Sequence, residues 1–398
     1  MNEKIKIAFF NDTMGPYHYA RLDAANLKSE CIFLEFSSVD HTNYWDISNE
    51  LKDNKITLFT DKPIIKKNKS EIFTRMDELL TKICPDVVLI SGWDATASLL
   101  SLRWCLHNNI PTILLSESQK HDFKRSFFKE AVKRFLLKLF DSAFVGGINQ
   151  IRYLTELGFS EKKIFPGCDL VDNDYFSVNS QVNQDLKSKY QSKYNLPEKF
   201  FFTSCRFVKK KNLKFLLKTF KKFIENNNEW SLVIAGDGPL KEDLESFLDE
   251  HDLNDRVFLP GYIQYDEIPI FYGLSSCFIL PSITEQWGLV INESLASGKP
   301  VLVSDKCGCA PNLVQNQEVG FIFNPMDEDD LLSKMNFITE EDTYKLFCNN
   351  TKNVMKKFDK NHYSKNLNMS ANKAKLSYKR YKNPISLIIL NLLIFFSK

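Results

Sequence analysis

Residues 277–305 read CFILPSITEQWGLVINESLASGKPVLVSD. The apolar run Cys277–Leu280 has the length of a buried strand and ends at Pro281. Gly288 then opens a segment of helical character that runs to about Ser297, where Gly298 and Pro300 stop it, and Val301–Ser304 is a second apolar run. Glu285 therefore sits on a strand-to-helix loop, and Glu293 lies five residues into the helix. A helix start offers unpaired N–H groups to an anion. A carboxylate accepts two hydrogen bonds from a vicinal diol, so the two acids suit a ligand that has both an anion and hydroxyls. The plain alternative is a surface loop acid followed by a solvated helix residue.

The same alternation extends in both directions. Short apolar runs at Ile5–Phe10, Cys31–Phe36, Lys55–Phe59, Val87–Ser91, Thr112–Leu115 and Ala143–Val145 are separated by helix-like stretches such as Thr96–His107 and Phe127–Phe140. A second series follows at Phe200–Phe207, Leu232–Ala235, Val257–Leu259, Cys277–Leu280, Val301–Ser304 and Gly320–Phe323. This order predicts parallel sheets wrapped by helices. The zone from Val171 to Pro197 is polar and has no clear strand. The expected fold class is α/β: two Rossmann-like domains with parallel sheets facing across a cleft. The expected boundaries are 1–175, a linker at 176–198, 199–360, and a C-terminal helix with an apolar tail at 361–398 that packs back on the first domain or meets a membrane. Ligands of open α/β sheets bind at the carboxyl ends of the strands.

The 398 residues suit two domains, and a hydrophobic fraction of 43% supports real cores. A net charge of +2 does not argue for nucleic acid. Nine dispersed cysteines, an odd number, argue against a disulfide framework and for a reducing cytoplasm.

Ser204–Ile224, SCRFVKKKNLKFLLKTFKKFI, follows the first strand of the second series. Asn212 has the chemistry of an N-cap. Leu213, Leu216, Leu217, Phe220, Phe223 and Ile224 share one helical face. Lys209, Lys210 and Lys211 crowd the helix start, where the helix dipole disfavours cations by about 0.3–1 kcal/mol each. A diphosphate held between Arg206, Lys211 and the helix end reverses that penalty; a solvated lysine cluster is the plain reading for Lys209 and Lys210.

These residues resemble the donor-binding domain of the family 4 glycosyltransferases, which have the GT-B fold and retain anomeric configuration. Glu285-x7-Glu293 followed by Ser297-Gly298-Lys299-Pro300 is similar to the family's E-x7-E pattern. Arg206 with Lys211, the turn Gly236-Asp237-Gly238-Pro239, and the Val257–Gly261 strand and turn fit three further family features. In the first half, Gly15-Pro16-Tyr17-His18 and Ala20-Arg21-Leu22 look like the start of many such enzymes. The resemblance implies that Arg206 and Lys211 neutralise the departing diphosphate, that Glu293 holds the ribose diol, and that Glu285 contacts the transferred sugar. It also implies that the backbone of Trp287, Gly288 and Leu289, with Gly236 and Gly261, approaches the donor. The substrate implied is a UDP- or GDP-sugar. No metal and no cofactor are implied, because two cations do that work.

The acceptor side is expected in the first half. Gly15 follows the first strand and either lets the backbone approach the donor phosphates or makes a plain turn. His18 beside it is a ligand contact or a structural residue. Many family members carry a catalytic-site His after a later strand; that place here is Leu115-Ser116-Glu117-Ser118 with His121 close behind, so Glu117 and His121 stand as acceptor-side candidates. Asp172-Asn173-Asp174 has the spacing of a metal-binding DxD but lies at the crossover, where a structural role is expected. Cys307-Gly308-Cys309 has no second ligand pair and is read as structural.

Two segments have two readings each. Phe123–Phe140 is a basic amphipathic helix whose apolar face, Phe128, Val132, Phe135, Leu136 and Leu139, packs on the sheet or faces anionic lipid. Ile385–Phe396 is almost wholly apolar, follows the basic run Lys373–Lys382, and at twelve residues is too short for a span of about 17–25. It is a docked helix or an anchor in the membrane surface. The expected function is a retaining glycosyltransferase acting on a saccharide or lipid-linked acceptor in bacterial capsule, exopolysaccharide or lipopolysaccharide synthesis, cytoplasmic or peripheral at the inner face of the membrane. Another sugar-nucleotide enzyme of this fold, an epimerase or phosphorylase, and a non-catalytic nucleotide-sugar-binding subunit are the alternatives.

Overall fold

The computed structural model describes residues 4–38, 54–60, 67–93, 95–122, 125–379 and 384–397. The chain forms two compact units, Met1–Leu170 with Lys360–Lys398, and Val171–Asp359.

The first unit is built from β1 (Lys6–Asn11), α1 (Pro16–Asn26), β2 (Glu30–Ser37), β3 (Lys55–Phe59), α2 (Lys69–Ile83), β4 (Val87–Ser91), α3 (Thr96–Asn108), β5 (Thr112–Ser116), α4 (Phe127–Leu137), β6 (Ser142–Val145), α5 (Ile148–Glu156) and β7 (Ile164–Pro166). The strands make one parallel sheet in the order β3-β2-β1-β4-β5-β6-β7. Strands covered on both faces need apolar side chains on both, which is why β1 and β4 read as unbroken apolar runs. β7 is a strand the sequence reading does not contain; at three residues it is too short to stand out as an apolar run.

The second unit holds α6 (Asn173–Asn179), α7 (Gln184–Tyr194), β8 (Phe200–Ser204), α8 (Leu213–Ile224), β9 (Ser231–Ala235), α9 (Lys241–Glu250), β10 (Val257–Phe258), α10 (Ile268–Leu274), β11 (Cys277–Leu280), α11 (Leu289–Ala296), β12 (Val301–Ser304), α12 (Ala310–Leu313), β13 (Gly320–Phe323), α13 (Glu328–Thr339) and α14 (Glu341–Met355). Its sheet order, β10-β9-β8-β11-β12-β13, repeats that of the first six strands of the first unit. Both units are doubly wound Rossmann-like sheets. α6 and α7 occupy most of the polar zone around residues 173–194 and belong to the second unit. Asp172 caps α6 through Tyr175 N–H, and Asn173 donates to the carbonyls of Met355 and Phe358, so the DxD lookalike is used structurally.

Two expectations change in detail. Asn212 stands at the N-cap of α8 but in a left-handed conformation, with no side-chain cap bond; its amide donates instead to the Pro325 carbonyl at 2.8 Å. The apolar face expected on α4 is only partly covered. Leu136 and Leu137 are buried, and Phe127, Phe128 and Val132 are exposed, because only the last turn of the helix meets the core.

After α14 the chain returns to the first unit as α15 (Lys360–Ser377) and α16 (Pro384–Phe396). α15 lies against α1 and β6 and sends Tyr363, Leu367, Ala371 and Ala374 into the core under β1, β2 and β5. Leu367→Ala should remove roughly 2–5 kcal/mol from the first unit. Hydrogen exchange checks this: protection should fall in β1 and β2 and stay unchanged in β8 and β9.

Candidate active site

In a doubly wound sheet the loops at the switch of strand direction are forced to meet. In the second unit that switch lies between β8 and β11, paired through Cys277↔Phe201 and Phe278↔Phe202. The loop after β8 carries Arg206 and, in a 3-10 turn before α8, Lys209–Lys211. The loop after β11 carries Glu285. The ammonium of Lys211 and the carboxylate of Glu285 consequently form an ion pair, both side chains largely buried. Lys210 Nζ stands 4.0 Å from the other carboxylate oxygen and Ser282 Oγ 3.5 Å from the first. Burial works to lower the pKa of Lys211, and the Glu285 charge outweighs it, so the lysine is held above its ordinary value. Arg206 is exposed and makes no ion pair among the described residues.

Backbone bonds hold the Glu285 loop in place. Glu285 bridges to Cys307 in parallel register, Gly308 N–H donates to the Glu285 carbonyl at 3.0 Å, and Cys309 N–H donates to the Trp287 carbonyl at 3.1 Å. Cys307 and Cys309 are thus buried supports of this loop. Gly288 caps α11 at φ +104, a conformation open to glycine, with Leu280 Cδ2 3.0 Å from where a Cβ would stand. Trp287 is buried and donates from Nε1 to Asn292 at 2.9 Å; Leu289 begins the helix.

Glu293 is buried on the inner side of α11, which rules out the solvated-residue reading. Tyr272 Oη donates to its Oε2 at 2.6 Å. Burial and the Glu293 charge push the Tyr265 hydroxyl well above its usual range, and its ring stacks on Tyr175 at 5.0 Å. The Gly236–Pro239 turn backs the Arg206 loop. Phe207 N–H donates to the Asp237 carbonyl at 2.8 Å, Gly236 N–H to the Gly261 carbonyl at 2.7 Å, and a Cβ on Gly236 would stand 1.9 Å from the Cys205 carbonyl oxygen.

In the first unit Gly15 caps α1. Its N–H donates to His18 Nδ1 at 3.0 Å, which closes the first helical turn. Burial and the nearby Arg21 push His18 down to about 3, so it is neutral. Met14 N–H donates to Glu35 Oε1 at 2.7 Å; this buried acid also pairs with Lys55 at 3.1 Å and so steadies the Gly15 turn. Arg21 joins Asp169 at 3.1 Å and Glu117 at 3.7 Å. Burial and Glu117 hold the Asp169 carboxyl well above the usual range, against the pull of Arg21. Gly15, His18 and Glu117 are thereby linked through α1, whereas His121 is exposed on a turn of its own. Sequence reasoning missed Tyr272, Glu35 and Asp169. An acid within an otherwise apolar strand was the available signal for Glu35; nothing local marks the other two.

Among the described residues no cluster of His, Cys, Asp and Glu is placed to hold a metal ion.

Residues 186–361 match the family model described as glycosyl transferases group 1. The chain is 31% identical over 143 residues to alpha-monoglucosyldiacylglycerol synthase of Streptococcus pneumoniae, an alignment covering 36% of this chain and 32% of the relative. It is 30% identical over 174 residues to the UDP-Gal:alpha-D-GlcNAc-diphosphoundecaprenol alpha-1,3-galactosyltransferase of Escherichia coli, covering 40% of this chain and 44% of the relative. The chain thus spans less than half the length of either. A crystal structure of a glycosyltransferase from Rickettsia africae superposes with a TM-score of 0.75 at 18% identity, covering 94% of this chain and 99% of that one. The fold is the two-domain α/β class expected from the sequence. The family match contains Arg206, Lys211, Gly236, Gly261, Glu285, Trp287, Gly288, Leu289 and Glu293; Gly15, His18, Glu117 and His121 lie outside it.

Two outcomes are expected. Lys211→Met should destabilise the second unit by about 3 kcal/mol at pH 7, because it strands a buried carboxylate, and adding Glu285→Gln should recover most of the loss. A double-mutant cycle in denaturant reads this. A lysine with a raised folded pKa stabilises fully below its unfolded value of about 10.4 and loses that contribution only as pH rises through the folded value, so the cycle should be flat from pH 6 to 9. His18 has the opposite sense. Its depressed folded pKa means the unfolded chain takes up a proton below about 6.5, so stability should fall with acidification by up to about 1.4 kcal/mol per pH unit. His18→Gln, which keeps an acceptor for Gly15 N–H, should flatten this slope in stability measured between pH 6.5 and 5.

Proposed function

We propose that this chain, whose residues 186–361 match the model of the group 1 glycosyl transferases, moves a hexosyl or N-acetylhexosaminyl group from a nucleotide-diphosphate donor to a saccharide or lipid-linked acceptor, retaining the anomeric configuration and without a metal ion. The observation that carries the reading is the Lys211–Glu285 pair beside the start of α11. A leaving diphosphate develops negative charge, and preformed cations stabilise it without reorganisation. Lys211, Arg206 and the α11 N–H groups supply positive potential there. Diphosphate competes with Glu285 for the lysine, and the sugar hydroxyls become the carboxylate's donors in return. Glu293, fixed on one side by Tyr272, takes the ribose diol.

The donor is assigned as a UDP-sugar by analogy with the relative whose name states UDP-Gal. Polysaccharide or glycolipid assembly at the cytoplasmic face of a membrane is the setting, since the two relatives named above carry a diacylglycerol and a diphosphoundecaprenol in their names. His18, Glu117 and His121 are the acceptor-side candidates, and Gly15 stands with the donor-binding residues.

A panel of nucleotide sugars tests this by thermal shift and by nucleotide release with and without acceptor. The cognate donor at a hundred times its Kd should add about 2.7 kcal/mol. Lys211→Ala should lower turnover by roughly 10²–10³, and Glu285→Gln should lower turnover while UDP binding persists. A wild-type rate in Lys211→Ala refutes the donor model.

A further inference from the structure

α16 divides into two stripes. Ser386, Leu390 and Ile394, spaced four apart, are buried against α3 and the core of the first unit. Lys69 Nζ donates to the carbonyls of Ile394 and Ser397, each at 2.6 Å, which pins the C-terminal end of the helix. The other stripe, Ile385, Ile388, Ile389, Leu392, Phe395 and Phe396, faces outward, with Phe395 74% and Phe396 76% exposed. Beside it the first turns of α4 present Phe127 at 84% and Phe128 at 79% exposure. A groove of about 500 Å³ joins the two helices, lined by Trp93, Phe128, Val132, Leu136, Leu393 and Phe396. Two segments remote in sequence thus make one exposed apolar face. A soluble surface seldom leaves such a patch without a partner.

Charge identifies the partner. From Lys360 to Lys398 there are eight Lys or Arg and no Asp or Glu; since the whole chain carries +2, residues 1–359 carry −6. Four of these cations lie on α15, which packs on the other face of the sheet, and Lys375 there pairs with Asp86. Beside the apolar face itself Lys129 and Lys133 line the groove, and Lys129, Arg134 and Lys138 are exposed on α4. Apolar side chains flanked by the cations of α4 match an anionic bilayer, where the former enter the acyl boundary and the latter meet phosphate. At thirteen residues α16 is roughly 20 Å long, and no described helix is long and apolar enough to cross a membrane. The helix fits lying in the plane of the interface.

We propose that the outer face of α16, with Phe127, Phe128 and Val132 of α4, docks the first unit onto an anionic lipid surface. The inference deepens the membrane-peripheral part of the proposed function and rests on that part, not on the sugar chemistry.

The test is flotation of the full-length chain with phosphatidylcholine vesicles with and without phosphatidylglycerol. The wild type should bind only the anionic vesicles and less at high salt. The exposed-face triple Ile388→Ser, Leu392→Ser, Phe395→Ser and the charge triple Lys129→Glu, Arg134→Glu, Lys138→Glu should each weaken binding on the order of tenfold or more. Both should keep the wild-type melting temperature and the wild-type nucleotide release with a water-soluble acceptor. No wild-type binding, or undiminished binding by the Ser triple, overturns the proposal. So does a dimer that the Ser triple converts to monomer without any vesicle binding, which assigns the face to a second copy of this chain. Turnover without vesicle binding overturns the surface and leaves the transferase standing; vesicle binding by a chain that never turns over donor overturns the transferase and leaves the surface.

Discussion

The reversal of strand order between β8 and β11 is the constraint on which the candidate site depends. Lys211 and Glu285 are 74 residues apart, and neither loop has a local reason to seek the other. They meet because adjacent parallel strands deliver their carboxyl ends to one place, and because the connections leave in opposite directions there. Once brought together, the two charges are largely buried, and each makes the other's desolvation tolerable. The rest of the second unit holds that meeting in place. The Gly236 turn packs backbone to backbone behind Arg206, and Cys307 and Cys309 tether the Glu285 loop from the next crossover. Glycine is required at Gly236 because no side chain fits 1.9 Å from a carbonyl oxygen.

The first unit applies the same topology to different chemistry. Its switch point, between β1 and β4, opens on the Gly15 turn. Here the backbone is steadied by a neutral His18 and a buried Glu35. Arg21 then gathers two acids, Asp169 and Glu117, and burial with the Glu117 charge holds the Asp169 carboxyl well above its usual range. A neutral imidazole and a buried acid cluster thus stand at this switch point, where the second unit places a lysine-rich loop. The two halves of the chain repeat a sheet order and divide the electrostatic labour.

What the sequence made legible follows from the range of the forces involved. Strand and helix alternation, the Leu213–Phe223 face and the Glu285–Glu293 spacing are local patterns and could be read directly. Glu293 was legible as a residue, but not its burial, since Tyr272 arrives from α10. Asp169 and Glu35 act through partners in other elements, so no local pattern announces them. Asn212 illustrates the same limit in reverse. Its type predicts a side-chain cap, yet the Pro325 carbonyl, more than a hundred residues away, competes successfully for its amide. The three-residue β7 needed its neighbour β6 to exist at all.

α16 shows why burial must be read stripe by stripe. Its inner residues repeat every four positions, enough to fix a thirteen-residue helix to the core, and Lys69 caps its end. Stability would be served equally well by polar residues on the outer stripe, as on α9, where Lys241, Glu242, Asp243 and Glu245 face solvent. An exposed Ile, Leu or Phe gains nothing from folding of this chain alone, because it stays in water in both states. Six such residues on one face, followed along the surface by two exposed phenylalanines of α4 and embedded in a segment without a single acid, are therefore not explained by the fold. The lipid surface proposed above is a second apolar phase of opposite charge, and it would supply the burial that the first unit leaves undone.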